Sequence, residues 1–150
     1  MKKLPYSLEA EKAVLGAMLV SREALLNSVV RLSIDDFYVE DHKLIFDTIR
    51  TVYNKGVNVD AVTVIEQFIL NNTIGQLSNK EDTVYDLILN VVSASNVEEY
   101  IRIIQDKTIL RKLVLLAEDV SNKWQTEEIN DIADYVAKVE SDTLNITRSR

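Results

Sequence analysis

Apolar residues recur every three or four positions along most of the chain, which is the spacing of one face of an α-helix. The sequence holds only three glycines and one proline, so this periodicity predicts an all-α fold. A first helix is predicted over residues 8–20, with Ser7 as its N-cap. Gly16 lies within its apolar stripe and would let another backbone approach closely. The stripe consists of Val14, Leu15, Met18 and Leu19.

Four more helices are predicted before residue 97: one over 22–32, one ending near Lys55, one over 61–70 and one over 82–92. Gly56 is placed to end the third helix in a left-handed conformation, and Asp60 is a good N-cap for the fourth. β-Branched residues on both sides of Asp60 leave a strand as the alternative there. The turn at 35–38 is expected to bring its two aromatic residues into the core.

The last fifty residues predict a helical hairpin. One helix covers about 97–123, a second is capped by Thr126, and the short turn 124–126 joins them in antiparallel order. Two helices alone cannot bury both of their apolar stripes, so the hairpin must pack on the first hundred residues or on a copy of itself. The sequence therefore predicts a globular, multi-helix orthogonal bundle over residues 1–100, followed by an antiparallel helical hairpin over residues 101–150.

Composition and charge narrow the function classes. The chain is 47% hydrophobic and contains no cysteine, which indicates a globular protein without disulfides and fits a cytoplasmic location. No apolar run approaches the length of a membrane span. The first hundred residues carry nine basic and fifteen acidic side chains, whereas the last fifty carry eight and nine. An acidic surface repels phosphate, so tight direct DNA binding is not expected.

Candidate chemistry is sparse. The single histidine, His42, excludes a site built on a histidine pair, and its place at a helix start favours a cap or core-edge role. The acidic pairs fall mostly in the first turns of predicted helices, where the helix dipole explains them. No phosphate-binding loop or dinucleotide fingerprint is present, so no catalytic, cofactor-binding or metal-binding residue is predicted. A small helical enzyme using Asp/Glu acid–base chemistry remains the alternative of another class.

The segment from Pro5 to Gly16, PYSLEAEKAVLG, resembles the opening of the N-terminal domain of DnaB-type replicative DNA helicases. Further blocks resemble that family in the same order. They are Asp36-Phe37-Tyr38 with His42 and Ile45-Phe46, Gly56 with Asp60–Val64, Tyr85 with Leu89, Ser95-Asn96 with Tyr100, and Arg111. The chain departs from the family at Lys80–Thr83, where a Gly-Gly pair is common, and the match beyond Arg111 is one of pattern only.

The resemblance implies a non-catalytic collar domain of a hexameric helicase. In the family, the hairpins of neighbouring subunits pair, and the domains form a collar that is a trimer of dimers. Primase docks on this collar, and loader proteins act on the helicase assembly. The family continues into a RecA-like ATPase domain, where ATP and Mg would bind, so this chain is expected to need no cofactor of its own. A free-standing regulator that mimics the collar is the alternative within the resemblance.

The hairpin is also where the resemblance places the contacts between subunits and with partners. Trp124 has two interpretations, as a hydrophobic plug that closes the hairpin or as a residue that contacts a partner. The residues predicted for this interface are Ile109, Leu113, Leu116, Val120, Trp124, Ile132, Val136 and Val139.

The charge distribution generates a first prediction. The 150-residue chain should bind DNA only weakly, with an affinity that falls steeply as salt is raised, and should hydrolyse ATP negligibly. Fluorescence anisotropy with labelled DNA at low and physiological salt measures the first property, and phosphate release measures the second. Tight DNA binding at physiological salt would contradict the argument from charge.

Overall fold

A computed structural model describes residues 3–91 and 93–148. These residues form seven α-helices and no strand, which confirms the predicted all-α fold. The helices are α1 (Leu8–Val20), α2 (Arg22–Arg31), α3 (Glu40–Asn54), α4 (Ala61–Leu70), α5 (Glu81–Leu89), α6 (Val97–Thr126) and α7 (Ile132–Arg148). Short 3-10 helices lie at Ile34–Asp36, Ile74–Gln76 and Ala94–Asn96. Among the described residues, no helix combines the length and the apolar character that crossing a bilayer requires.

The predicted helix ends are confirmed where a capping side chain defines them. The Ala10 amide donates to Ser7 Oγ over 3.1 Å at the start of α1. At the start of α4, the Thr63 amide donates to Asp60 Oδ1 over 2.9 Å, and the Asp60 amide donates to Thr63 Oγ1 over 3.0 Å. This reciprocal pair fixes the start of a helix at a place where the β-branched residues had made a strand the alternative prediction. Gly56 has a φ of 74°, the left-handed conformation predicted for it.

Three expectations need correction or fall outside the structure. The fifth helix ends at Leu89, earlier than predicted, and Val92 lies outside the described residues. Of the two aromatic residues at 35–38, Phe37 is fully buried, whereas Tyr38 is only half-buried. Phe37 takes the core position because its ring packs on Phe46, with ring centroids 4.9 Å apart.

The predicted hairpin turn is wrong. The sequence placed it at 124–126, but α6 continues through Thr126 and the connection covers residues 127–131. Thr126 does not cap the last helix, because its hydroxyl donates back to the Asn122 carbonyl within α6 over 3.2 Å. Asp131 takes the capping role, since its Oδ1 accepts from the Asp134 amide over 3.1 Å. Trp124 accordingly lies in the last turn of a helix.

The chain divides into two compact units. The first, Ser7–Ile104, is called the head below, and the second, called the hairpin unit, combines the segment before Ser7 with the chain from Gln105 onward. The sequence-based division at residue 100 stays a prediction. In the head, α1 packs against α2, α3 and α5, while α4 packs against both α3 and α5. Three phenylalanines, Phe37, Phe46 and Phe68, are the largest fully buried side chains of this core.

Gly16 marks a close approach of α1 to the end of α5. A β-carbon at Gly16 would lie 2.5 Å from the Leu87 carbonyl oxygen and 2.5 Å from Val91 Cγ2. Both distances are well inside van der Waals contact, so only glycine allows this packing. The predicted role of Gly16 is confirmed.

Glu11 is a buried carboxylate that links three segments of the head. Its Oε2 accepts from the Tyr38 amide over 3.0 Å, and its Oε1 accepts from the Val39 amide over 3.4 Å. His42 Nδ1, in the first turn of α3, lies 2.8 Å from the same Oε1. The core-edge interpretation of His42 is confirmed, because this side chain is buried beside Glu11. In the sequence, Glu11 is one of two glutamates in the first turn of the predicted first helix, where the helix dipole favours negative charge, and sequence analysis missed these contacts.

Gly16→Ala is expected to lower the free energy of unfolding by about 1–3 kcal/mol, because the new methyl group must push α5 away from α1. Urea denaturation followed by circular dichroism measures this change. Gly75→Ala is the matched control, since no atom lies within 4 Å of a β-carbon there, and it should change stability by less than about 0.5 kcal/mol. Equal effects of the two substitutions would contradict the steric argument.

Glu11→Ala is expected to lower the free energy of unfolding by about 3 kcal/mol, because it leaves two backbone amides and His42 without their buried acceptor. Glu9→Ala removes the same charge from an exposed position of the same helix and should cost less than about 0.5 kcal/mol. The same denaturation measurement compares the two. A loss for Glu11→Ala no larger than for Glu9→Ala would refute the structural role of the carboxylate.

Candidate functional site on the helical hairpin

The hairpin unit is held at its base by Arg111. This side chain is buried on α6, and its Nη1 donates to the Pro5 carbonyl over 2.9 Å. Its Nη2 donates to Thr108 Oγ1, one turn earlier, over 3.3 Å. A planar guanidinium can serve such diverging acceptors at once, so Arg111 fastens the segment before Ser7 to α6.

The two helices of the hairpin run antiparallel: Tyr135 of α7 acts on the pKa of Lys123 on α6, and Asp119, earlier on α6, acts on the pKa of Lys138, later on α7. One ion pair joins the end of α6 to the connection, and another lies within α7. Lys123 Nζ lies 2.7 Å from Glu127 Oε2, and this hydrogen bond raises the pKa of Lys123 above its ordinary value. The hydrogen bond from Lys138 to Asp142 likewise raises the pKa of Lys138, and the charge of Asp119 on α6 raises it further. Both lysines therefore stay charged at neutral pH.

The eight residues predicted for the interface fall into two sets. Ile109, Leu116, Val120 and Val139 are half-buried. The other four expose large apolar surfaces: Leu113 is 37% exposed, Trp124 68%, Ile132 63% and Val136 46%. In the second set, much of each side-chain surface is not covered by other residues of the chain. They are the residues that could contact another molecule.

The exposed set forms stripes along both helices. Leu113, Ala117 and Trp124 on α6 are spaced by four and seven residues, and Ile132 and Val136 on α7 are spaced by four. Leu110 is also exposed and extends the α6 stripe by one turn. It was not in the predicted set, although its position three residues before Leu113 was a usable signal.

One exposed leucine lies elsewhere on the same helix. Leu115 is 49% exposed, but it follows Leu113 by two residues and so lies about 200° around α6. It resembles Leu113 in size and exposure but not in direction, which makes it a natural control position.

Groups able to hold a metal or to act in acid–base chemistry are scarce. In residues 3–91 and 93–148, no cluster of three or more His, Cys, Asp or Glu side chains has the geometry of a metal site. The buried carboxylate of Glu11 pairs with His42 and with backbone amides rather than with a second carboxylate. The surface with the clearest capacity to act is therefore the apolar face of the hairpin.

Comparison with known proteins gives the family. The sequence profile described as "DnaB-like helicase N terminal domain" matches residues 3–106. The chain is 31% identical over 146 residues to a probable replicative DNA helicase of Trieres chinensis, covering 97% of this chain and 32% of that protein. It is 34% identical over 124 residues to the replicative DNA helicase DnaB of Geobacillus stearothermophilus, covering 83% of this chain and 27% of that protein. The chain thus spans between about a quarter and a third of the length of these curated relatives.

Comparison with solved structures gives the same family. The N-terminal domain of the DnaB helicase from Mycobacterium tuberculosis superposes with a TM-score of 0.84 at 30% sequence identity, covering 95% of this chain and 99% of that one. A DnaB-like replicative helicase, described together with its interactions with primase, superposes with a TM-score of 0.69 at 20% identity and shares the fold. That match covers 89% of this chain and 30% of the helicase chain. With its profile match, its relatives and its fold in agreement, the chain belongs to the family of DnaB-like helicase N-terminal domains.

Proposed function

We propose that this chain acts in the cytoplasm as a non-catalytic assembly and docking domain of a replicative DNA helicase. Its hairpin pairs with the hairpin of a second copy, and such dimers join as a trimer of dimers in a hexameric collar. Primase or a helicase loader docks on this collar. ATP and Mg belong to the ATPase part of the helicase and not to this domain.

The exposed apolar face of the hairpin is the observation that carries the proposal. Leu113, Trp124, Ile132 and Val136 expose between 37% and 68% of their surface, although each is large and apolar. Large apolar side chains exposed along both helices favour association, and aromatic side chains such as Trp124 are common at the centre of interfaces.

Charge favours self-association through the same unit. The residues of the hairpin unit carry nine basic and nine acidic side chains, whereas the head carries eight and fifteen. Two balanced surfaces can approach without net repulsion, but two acidic heads repel each other. Charge therefore favours dimers that form through two hairpins over dimers that form through two heads.

Light scattering across a concentration series tests the pairing. The wild-type chain should gain mass as concentration rises, and Leu113→Asp or Val136→Asp should weaken association by at least about tenfold, because each would bury an unpaired carboxylate. Trp124 is the sole tryptophan of the sequence, so its emission should shift to shorter wavelength as the wild type associates.

Leu115→Asp is the matched control, because it places the same charge at similar exposure on a different side of α6. It should leave association unchanged. Circular dichroism confirms that all variants keep their helix content. A wild type that stays monomeric at high concentration, or a control as damaging as Leu113→Asp, would refute pairing through this face.

A further inference from the structure

Helix α4 is apolar on its outward side as well as on its buried side. Seven of its ten residues are apolar, but only four of these seven are buried in the core of the head. The other three, Val62, Ile69 and Leu70, are 62%, 50% and 73% exposed. A helix that is apolar all round is normally covered on every side, so the outward side of α4 calls for a cover that a single chain does not supply.

The outward side of α4 borders a groove of about 230 Å³. Val62 and Leu70 line this groove from α4, Val52 lines it from the end of α3, and Val57 lines it from the connection between the two helices. We propose that this groove, called the α4 groove below, binds the apolar face of a basic amphipathic helix from a partner protein. All of its lining residues belong to the head, and none belongs to the hairpin unit that carries the proposed function.

Glu66 is the polar side chain of the α4 groove that lacks a partner. Lys55 donates from Nζ to Gln67 Oε1, and Gln67 Nε2 donates to Asn71 Oδ1 over 2.9 Å, so these polar groups satisfy one another. Among the described residues, no hydrogen bond or ion pair reaches the Glu66 carboxylate.

The position of Glu66 sets the charge that a ligand must bring. Glu66 lies four residues after Val62 and four before Leu70, so its carboxylate occupies the middle of the exposed apolar stripe of α4. A ligand that covers this stripe removes water from the carboxylate. Because a desolvated carboxylate without a partner is costly, the ligand must supply a cationic side chain opposite Glu66.

The wider charge of the head agrees with a basic ligand. The groove itself holds one negative and one positive side chain, Glu66 and Lys55. The head as a whole carries fifteen acidic and eight basic side chains, so it attracts a basic partner and repels phosphate groups. A second copy of the same face is disfavoured, because a two-fold contact would bring together two acidic heads and two Glu66 carboxylates.

The size of the groove and the absence of a sheet edge favour a helix as the ligand. Sites that enclose drug-sized molecules have volumes of about 300–1,000 Å³, and the α4 groove is smaller. It suits one or two aliphatic side chains from a helix laid beside α4, as in other complexes where a helix fills a groove. An extended peptide would need the edge of a sheet, and the described residues form no strand.

NMR titration of the isotopically labelled 150-residue chain with an alanine-based helical peptide tests the site. The peptide carries three leucines at positions i, i+4 and i+7, one arginine at i+3, and glutamines on its other faces for solubility. The backbone amides of residues 57–70 should shift and saturate. Leu70→Ser should weaken binding by about tenfold, because it removes a large apolar contact from the groove.

A double-mutant cycle tests the charge pairing. Glu66→Gln should weaken binding of the arginine peptide by about threefold to tenfold, because a charge-assisted contact is lost. The same substitution should change binding of a peptide with glutamine in place of the arginine by less than about twofold. Equal losses for the two peptides would show that Glu66 does not meet the cation and would overturn the basic ligand.

Two matched controls separate the groove from the rest of the head. Leu89 is the same residue type as Leu70 and is 79% exposed, but it lies on α5 and does not line the groove. Glu9 is an exposed glutamate outside the groove. Leu89→Ser and Glu9→Gln should each change binding of the arginine peptide by less than about twofold. Control effects as large as those of Leu70→Ser and Glu66→Gln, or the absence of a saturable shift, would overturn the site.

Light scattering distinguishes a partner protein from a second copy. Leu70→Ser should leave the self-association of the chain unchanged, whereas Leu113→Asp tests the hairpin separately. A loss of self-association in Leu70→Ser would assign the α4 groove to a second copy and would overturn the partner helix. The two variants therefore report on different faces, and failure of one proposal leaves the other to its own test.

Discussion

The head depends on one buried carboxylate. Glu11 lies in the first turns of α1, where its two oxygens accept from the amides of Tyr38 and Val39 and meet the ring of His42. A carboxylate without partners in this position would be costly, so the contacts must form together if the fold is to form at all. They set the start of α3 against α1. The aromatic pair Phe37 and Phe46 packs in the core on either side of that start.

Other acidic side chains of the head also accept hydrogen bonds from backbone amides near helix starts. Asp41, in the first turn of α3, accepts from the Ser78 amide over 3.2 Å, shortly before α5 begins. Asp60 accepts from the Thr63 amide in the first turn of α4. The amino-terminal ends of helices carry partial positive charge, which favours carboxylates there. Part of the acidic charge of the head therefore stabilises its fold.

The two units differ in how far they bury their apolar side chains. The head buries its apolar side chains in a closed core and keeps an acidic exterior. The hairpin unit consists of two helices, which cannot enclose their own stripes, and it leaves Trp124 and Ile132 largely exposed. Its charges are balanced, and its ion pairs join residues four apart in sequence, such as Lys123 near the end of α6 with Glu127 in the connection. A self-contained fold and a surface suited to assembly thus sit in one short chain.

The sequence by itself determined the helical class, the family resemblance and the elements whose signals are local. Ser7, Asp60 and Gly56 define helix ends through bonds or dihedral angles of their own segments, so α1 and α4 begin where predicted and α3 ends within one residue of its predicted end. Tertiary structure decided the rest. Glu9 and Glu11 look equivalent in sequence, and only packing turns Glu11 inward, although its spacing of four residues from Leu15 was a hint. Thr126 and Asp131 are both good caps, and a further helical turn decided between them. Apolar spacing placed eight hairpin residues on stripes, but their exposure depends on which neighbours cover them, and no local pattern contains that information.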